Sequence, residues 1–332
     1  MLNVALLGSG RMAHVYGPKI SEHKGLHLSC TFNPNLASAE KAAELYGGRA
    51  DNDLERVLSD DTIRAVIIAT PTNTHVDYIE AAAKAGKAIY CEKPIDKSLE
   101  RVDHCMAVLK AHPVPFMLGF NRRFDPDNSA LHSAVRAGEI GELNMLMSTS
   151  REPAPPPISY VKNSGGYFLD AQIHDIDLLC WIAGEWPVEV YAAGSCMVDP
   201  EIGAAGDIDT AMTTLKMPSG CLCHINNSRR TTYGFDQRVE AFGSKGMLQT
   251  TNQRDENLLR WTDMVTEAKS PLKHFFLERY DRSFLLALDE FHNAVTDGGA
   301  PTCNEYDGRR ALSIALACDR SHREGSPVKV GS

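Results

Sequence analysis

Short apolar runs alternate with helical periodicities over the first third of the chain. The predicted strands are NVALLG, LHLSCTF, AVIIAT, KAIYCEK and FMLGF, which are rich in apolar and β-branched residues. Between them, segments such as ASAEKAAELYG and HVDYIEAAAKAG place apolar residues at helical spacing and end on glycine. This alternation of strands and helices predicts right-handed crossover connections and a parallel sheet.

The pattern changes after Phe120. Residues 151–158 read REPAPPPI, a proline-rich run that cannot form regular structure. A helix is predicted around HDIDLLCWIAG, and alternating runs from VEVYAAGSCMV to GMLQTT, with turn signals such as MPSG and GSKG between them, predict an antiparallel sheet. The chain is helical again from SFLLALDEFHNAV onwards. We therefore expect two domains, residues 1–120 and residues 121–332.

Composition excludes several classes of protein. A net charge of −9 argues against a nucleic-acid-binding or anionic-membrane surface. No apolar run approaches the roughly 18 residues of a membrane span, and MLNVALLGSG resembles a first buried strand more than a signal peptide. The 9 scattered cysteines indicate reduced thiols in a cytoplasmic protein. Cys221 and Cys223 lack the further paired ligands that zinc requires, so we expect no metal.

A glycine motif follows the first predicted strand. Gly8, Gly10 and Ala13 form G-x-G-x-x-A at the start of the first predicted helix. Glycines at these positions allow a tight turn and the close approach of a pyrophosphate, which the helix N-terminus then binds. The motif therefore predicts an NAD(P) site, with a glycine-rich turn that binds nothing as the alternative.

The end of the second strand normally carries an acid for the adenosine ribose. Here that place falls on Phe32 or Asn33, with neither a carboxylate nor an arginine nearby in the sequence. Phe32 is expected to flank the adenosine or simply to pack at the strand end, and Asn33 to bond a ribose hydroxyl. We expect a moderate preference for NAD, with NADP as the alternative cofactor.

Two further segments follow strands at the same predicted edge: Ala69–His75, reading ATPTNTH, and Cys91–Pro94, reading CEKP. A lysine at such a strand end can stabilise an alkoxide or polarise a carbonyl. Together with GSGRMA, GFNRRFDP and LDAQIHDIDLLCWIAG, these segments resemble the Gfo/Idh/MocA oxidoreductase family, and its inositol 2-dehydrogenase branch in particular. The resemblance implies an α/β fold. The implied fold has an N-terminal Rossmann domain and a C-terminal α+β domain with a large, mainly antiparallel open sheet.

The resemblance also implies site residues. Lys93, Asp170 and His174 match the family's catalytic set, with a neutral His174 as the base for the hydroxyl proton. Asp177, one turn after His174, is either an orienting group for the imidazole or a solvated or helix-capping acid. The remaining cofactor-binding residues implied are Gly8, Gly10, Arg11, Met12, Phe32, Asn33, Thr70, Pro71, Asn73, His75 and Glu92, and those implied for the substrate, besides the catalytic set, are Arg122, Ser150, Glu152 and Phe235.

The chain departs from the inositol pattern at two substrate positions. Ser150-Arg151-Glu152-Pro153 stands where those enzymes resemble H-R-N-P, and Phe235 corresponds to a tyrosine. These departures indicate a different polyol, another inositol isomer or a sugar as an alternative to myo-inositol. The family also implies a homodimer or homotetramer. Two other functions stay open: glycoside hydrolysis with tightly held NAD, and a non-catalytic cofactor-sensing regulator.

Overall fold

The computed structural model describes residues 1–331, which form two compact units. The first contains residues 1–124 and 282–312, and the second contains residues 125–281 and the chain from Ser313 onwards. A division at residue 120 therefore leaves out one C-terminal segment of the first unit. Phe284 packs edge-on against Tyr16, with ring centroids 5.8 Å apart, and Phe291 packs against Tyr90 at 5.7 Å.

The first unit contains a parallel sheet with helices in the crossovers. Its strand order is β3-β2-β1-β4-β5-β6, and every neighbouring pair is parallel. Its elements are β1 (Leu2–Leu7), α1 (Ala13–Glu22), β2 (Leu26–Phe32), α2 (Leu36–Tyr46), β3 (Arg49–Asp51), α3 (Leu54–Leu58), β4 (Ala65–Ile68), α4 (His75–Lys84), β5 (Ala88–Cys91), α5 (Leu99–Ala111) and β6 (Phe116–Leu118).

The predicted alternation of strands and helices is confirmed in this unit, and LHLSCTF is a strand over its full length. β4 and β5 are completely buried, as expected for strands covered on both faces. Side-chain caps define helix starts: the Asn35 side chain accepts from the Ser38 N–H, and Ser98 accepts from the Arg101 N–H. The short β3 and α3 were not predicted.

The second unit contains a mixed sheet of order β12-β11-β7-β10-β9-β8-β15. The elements that follow β6 are α6 (Pro126–Arg136), β7 (Leu143–Arg151), α7 (Ile158–Ser164), α8 (Ile173–Ala183), β8 (Glu189–Ser195), α9 (Pro200–Ala204), β9 (Thr210–Lys216), β10 (Leu222–Ser228), β11 (Asp236–Gly243), β12 (Gly246–Gln249), β13 (Leu259–Arg260), β14 (Ala268–Lys269), α10 (Phe276–Arg279), α11 (Asp281–Asp297), α12 (Glu305–Glu324) and β15 (Val328–Lys329).

The large sheet is mainly antiparallel, but β7 and β10 run parallel, with Arg151 beside Ser228 at their carboxyl ends. The prediction of a mainly antiparallel sheet is confirmed, and the parallel pair arises because β7, which sequence periodicity did not identify, inserts between β11 and β10. Arg151 ends β7 and Ile158 begins α7, so the irregular proline segment is shorter than predicted.

The two faces of this sheet differ. Helix α8 packs on β7 and β10, and α6 packs on α8 and β11. The opposite face presents large apolar side chains that are more than two-fifths exposed, among them Tyr191, Met212, Leu222 and Phe242. Within residues 1–331, no helix is both long enough and apolar enough to cross a membrane.

Candidate active site

The turn between β1 and α1 carries the glycine motif. Gly8 has a φ of +112°, and a Cβ at this position would lie 2.7 Å from the Ala69 carbonyl oxygen, so only glycine fits. Its N–H donates to the Phe32 carbonyl oxygen at 2.8 Å. By contrast, a Cβ on Gly10 would meet nothing within 4 Å. Gly8 thus makes the tight turn, and Gly10 leaves the space that a pyrophosphate needs at the start of α1.

The neighbouring predicted residues surround this turn. Arg11 is exposed, and the Met12 carbonyl oxygen accepts the Tyr16 N–H at 3.0 Å, which begins α1. The Asn33 amide donates to the Ser9 hydroxyl at 2.7 Å, linking the end of β2 to the glycine turn. Phe32 is buried and packs edge-on against Tyr78, which favours the strand-end packing that was left open for it.

A carboxylate that is distant from Phe32 in the sequence lies beside it in the structure. β3 pairs with β2 in a register that places Asp51 beside Phe32. Asp51 is buried and binds the guanidinium groups of Arg56, at 2.6 Å, and Arg49. The Arg56 hydrogen bonds hold the pKa of Asp51 below its usual range, despite the opposing effect of burial. The only sequence signal for this placement of Asp51 was β3, a strand of three residues.

The loop after β4 continues through a 3₁₀ turn over Thr72–Thr74. Thr70 is half-buried and accepts a hydrogen bond from the Thr74 hydroxyl at 2.8 Å, whereas Pro71 and Asn73 are exposed. His75 is buried, with Nδ1 2.8 Å from the Pro94 carbonyl oxygen and Nε2 2.8 Å from that of Thr70. His75 therefore links the loops after β4 and β5, and burial lowers its pKa.

Glu92 follows β5 and is buried, which raises its pKa. The Tyr16 hydroxyl donates to Glu92, and the Tyr90 hydroxyl lies 3.0 Å from that of Tyr16. Because Tyr16 has only one hydroxyl proton, Tyr90 must be the donor to Tyr16. This buried chain of tyrosines, which sequence reasoning missed, fixes one Glu92 oxygen, while the Lys93 N–H donates to the other at 3.3 Å.

Besides Arg11, two cationic residues of this unit were predicted at the site, and they follow β5 and β6. Lys93 is half-buried and precedes Pro94 through a cis peptide bond. Arg122 is buried in the 3₁₀ turn Asn121–Phe124. The loops after β1, β2, β4 and β5 all follow the carboxyl ends of parallel strands, where dinucleotides bind. Their residues fit NAD.

In the second unit, a π-helical turn over Phe168–Gln172 precedes α8. Asp170 lies in this turn, and His174 is half-buried in the first turn of α8. The structure thus places these two predicted catalytic residues on one continuous helical segment. Lys93, the third member of the predicted set, belongs to the first unit.

A buried arginine joins Asp170 to Glu152. One Arg229 guanidinium nitrogen donates to Asp170 Oδ2 at 3.2 Å, and another donates to Glu152 Oε2 at 3.3 Å. The Tyr160 hydroxyl donates to the other Asp170 oxygen at 2.7 Å. Arg229 was not identified from sequence, where it is one of two adjacent arginines after a strand.

A buried polar network holds the start of α8 against the sheet. Asp175 accepts hydrogen bonds from the Ser148 hydroxyl at 2.5 Å and the Asn227 amide at 3.2 Å. Gln172 donates to Asn227 at 2.7 Å and accepts from the Thr213 hydroxyl at 2.8 Å. The residues on both sides of His174 are therefore anchored to three strands, which restricts the positions that its ring can take.

The last two predicted substrate residues are largely buried. The Ser150 hydroxyl accepts from the Gln237 amide at 2.8 Å. Phe235 is only 4% exposed and packs edge-on against Tyr280, with ring centroids 6.1 Å apart. These contacts give Phe235 an aromatic packing role.

Two domain families match this chain. Residues 2–120 match "Oxidoreductase family, NAD-binding Rossmann fold", and residues 129–249 match "GFO/IDH/MocA C-terminal domain". The chain belongs to the Gfo/Idh/MocA family. Membership confirms the family resemblance, the fold class and the NAD-dependent oxidoreductase assignment. Among residues 1–331, no three His, Cys, Asp or Glu side chains are grouped so as to hold a metal ion.

Relatives of this family member match over nearly its whole length. An inositol 2-dehydrogenase of Rhizobium meliloti is 40% identical, covering 98% of each chain. A scyllo-inositol 2-dehydrogenase (NAD(+)) of Bacillus subtilis is 32% identical over 98% of this chain and 95% of its own. The crystal structure of scyllo-inositol dehydrogenase from Lactobacillus casei, with bound NAD(H) and scyllo-inositol, is 27% identical with a TM-score of 0.93 and covers 100% of both chains.

Proposed function

We propose that this protein oxidises a secondary hydroxyl of an inositol or related cyclitol to a ketone, with NAD as the hydride acceptor. The observation that carries the proposal is the helical segment with Asp170 and His174, beside Glu152 and Arg229. Carboxylates accept hydrogen bonds from neighbouring hydroxyls, and a histidine can take a hydroxyl proton. The names of the full-length relatives support the substrate class.

The chain's own residues account for the proton movements. We assign the hydroxyl proton to a neutral His174, whose backbone is held by the Gln172 and Asp175 contacts. Lys93 stabilises the developing alkoxide, and Asp170 accepts a hydrogen bond from a substrate hydroxyl. When bound, the cofactor supplies the hydride acceptor. Gly8 and Gly10 would hold its pyrophosphate, and Thr70, Asn73 and Glu92 would contact its nicotinamide half.

A panel assay tests this function. Myo-inositol, scyllo-inositol, aldoses and keto-sugars are each incubated with NAD or NADP, and absorbance of the reduced cofactor is followed. We expect net NADH with at least one inositol and a moderate preference for NAD in kcat/KM, since Asp51 engages both nearby arginines. A strong NADP preference would contradict the cofactor assignment, and turnover of sugars alone would contradict the substrate class.

The two alternative functions give different results in the same panel. Cleavage of a glycoside without net NADH would indicate hydrolysis with retained cofactor. Tight cofactor binding without turnover of any panel compound would indicate a regulator.

We also propose that the protein is a homodimer or homotetramer assembled through the open face of the large sheet. That face exposes Tyr191, Met212, Leu222 and Phe242 on four of five consecutive strands, more apolar area than isolated surface residues provide. Light scattering after gel filtration tests the proposal. Met212→Glu combined with Phe242→Glu should reduce the mass to that of a monomer, and a wild-type monomer would refute it.

A further inference from the structure

The ends of two parallel strands bring opposite charges together in the second unit. β7 and β10 end side by side, and the Glu152 N–H donates to the Ser228 carbonyl oxygen at 2.9 Å, which continues their pairing by one residue. Glu152 and Arg229, the residues that follow the two strands, are therefore adjacent. In an antiparallel pair, the carboxyl ends of the two strands would have lain at opposite ends of the pair.

Arg229 is enclosed on several sides. Its side chain is 2% exposed, and its guanidinium carbon lies 4.9 Å from the centre of the Tyr167 ring. Its backbone N–H donates to the Asp209 carbonyl oxygen at 2.8 Å. A guanidinium fixed in this way offers two nitrogens in set directions, and here they reach Asp170 and Glu152.

We infer that Arg229 is a positioning residue for turnover, because it holds Asp170 and Glu152 together as one hydrogen-bond-accepting surface for adjacent hydroxyls of a cyclitol. The inference rests on the proposed function. An ionised carboxylate has about four acceptor positions, and Arg229 occupies one of them on each of the two residues. A change at Glu152 should therefore be transmitted through the shared guanidinium and affect kcat as well as KM.

The balance of charge between Arg229 and the two carboxylates gives the physical reason for this coupling. Arg229 allows two neighbouring carboxylates to stay ionised together, whereas without it their repulsion would raise the pKa of one of them. Besides Arg229 and the two carboxylates, Tyr160 donates a hydrogen bond to Asp170, and the Tyr167 ring faces the guanidinium. The carboxylates of Asp175 and Asp209 are the next acids, and each is bound by its own donors.

The test compares Arg229→Gln, Arg229→Lys, Glu152→Gln and the double variant Arg229→Gln/Glu152→Gln. Arg230→Gln is the matched control, because Arg230 is exposed and contacts the Val198 carbonyl oxygen instead. For each full-length variant, kcat and KM for inositol, NAD affinity, thermal stability and the pKa of Asp170, by carboxyl ¹³C NMR, are measured.

We expect Arg229→Gln to lower kcat/KM by about a hundredfold, mostly through kcat, as misplacement of a reacting group does. The pKa of Asp170 should rise by about one unit and fall again in the double variant. NAD affinity should stay unchanged. If Arg229→Gln does not fold, Arg229→Lys serves instead, because an ammonium on a flexible side chain lacks the two fixed nitrogens that reach the two carboxylates, and kcat should still fall.

An active wild type whose Arg229 variants keep kcat/KM within about threefold of it and leave the Asp170 pKa unchanged would overturn the inference, while the proposed function would stand. A wild type without turnover on any inositol would overturn the proposed function. In that case a raised Asp170 pKa in Arg229→Gln would still support the coupling of the two carboxylates.

Discussion

The residues assigned to the cofactor and those assigned to the substrate occupy different kinds of structure. In the first unit they follow parallel strands, and glycine backbone shape and loop contacts dominate, as at Gly8 and His75. In the second unit they are ionised or polar side chains held by one another, as Asp170 is held by Arg229. The first arrangement suits a large ligand whose phosphates meet backbone N–H groups, and the second suits a small polyol with many hydroxyls.

This difference predicts where substitutions should act. Changes in the glycine turn should affect cofactor affinity, and changes around α8 should affect turnover and its pH dependence. Lys93 is the exception, because it lies in the first unit but is expected to act on the reacting oxygen.

The largest expected effect is that of His174→Ala in the second unit. Loss of the base should slow oxidation by roughly 10²–10⁴-fold while NAD affinity stays near wild type. In the wild type, kcat/KM should rise with pH through one ionisation and then level off, because the imidazole must be neutral to accept the proton. His104→Ala on the exposed surface of α5 is the control. An unchanged pH profile in His174→Ala would make His174 a structural residue.

Lys93→Ala tests whether this residue of the first unit acts on the reacting oxygen. Turnover should fall by about a hundredfold or more, the effect of removing one preorganised charge donor, whereas NAD affinity should change little. Stopped-flow turnover and fluorescence titration with NAD measure the two quantities separately. Loss of NAD affinity at full turnover would place Lys93 with the other cofactor residues and remove the exception.

Within the glycine turn, substitutions at Gly8 and Gly10 should affect different properties. Gly8→Ala should lower stability by about 1–3 kcal/mol, because its φ of +112° and the nearby Ala69 carbonyl exclude a side chain. Gly10→Ala should keep wild-type stability but weaken NAD binding by about tenfold, which is about 1.4 kcal/mol. Calorimetric unfolding and NAD titration distinguish the two variants. Equal effects on both quantities would mean that the glycines share one role.

The smallest expected effect concerns Glu92. Burial raises the pKa of this carboxyl in the folded state, so the free energy of unfolding falls as the pH rises from the unfolded-state pKa to this raised pKa and stays lower above it. Glu92→Gln should therefore raise Tm at pH 8 by about 2 °C or more. The gain should shrink as the pH falls and vanish well below pH ~4, where the carboxyl is protonated in both states. Glu100→Gln on exposed α5 should show no such pH-dependent gain, and an equal gain in both variants would contradict this account.

Local signals in the sequence determined much of this protein. The apolar run LHLSCTF predicted β2, and the glycine motif predicted the turn at Gly8, because strand periodicity and turn geometry depend on residues adjacent in the chain. The helix that carries His174 could be placed for the same reason. These residues, together with Lys93 after β5, were enough to indicate the family and the half of the molecule that binds the cofactor.

Only the tertiary structure decided which strands pair and which charges meet. Asp51 reaches Phe32 through the pairing of β3 with β2, and Arg229 reaches Glu152 across 77 residues because β7 runs parallel to β10. Helix α11 belongs to the first unit, although it lies in the C-terminal part of the chain. Such contacts depend on strand order and register, which are set by the burial of whole faces rather than by local propensity, so a single sequence does not reveal them.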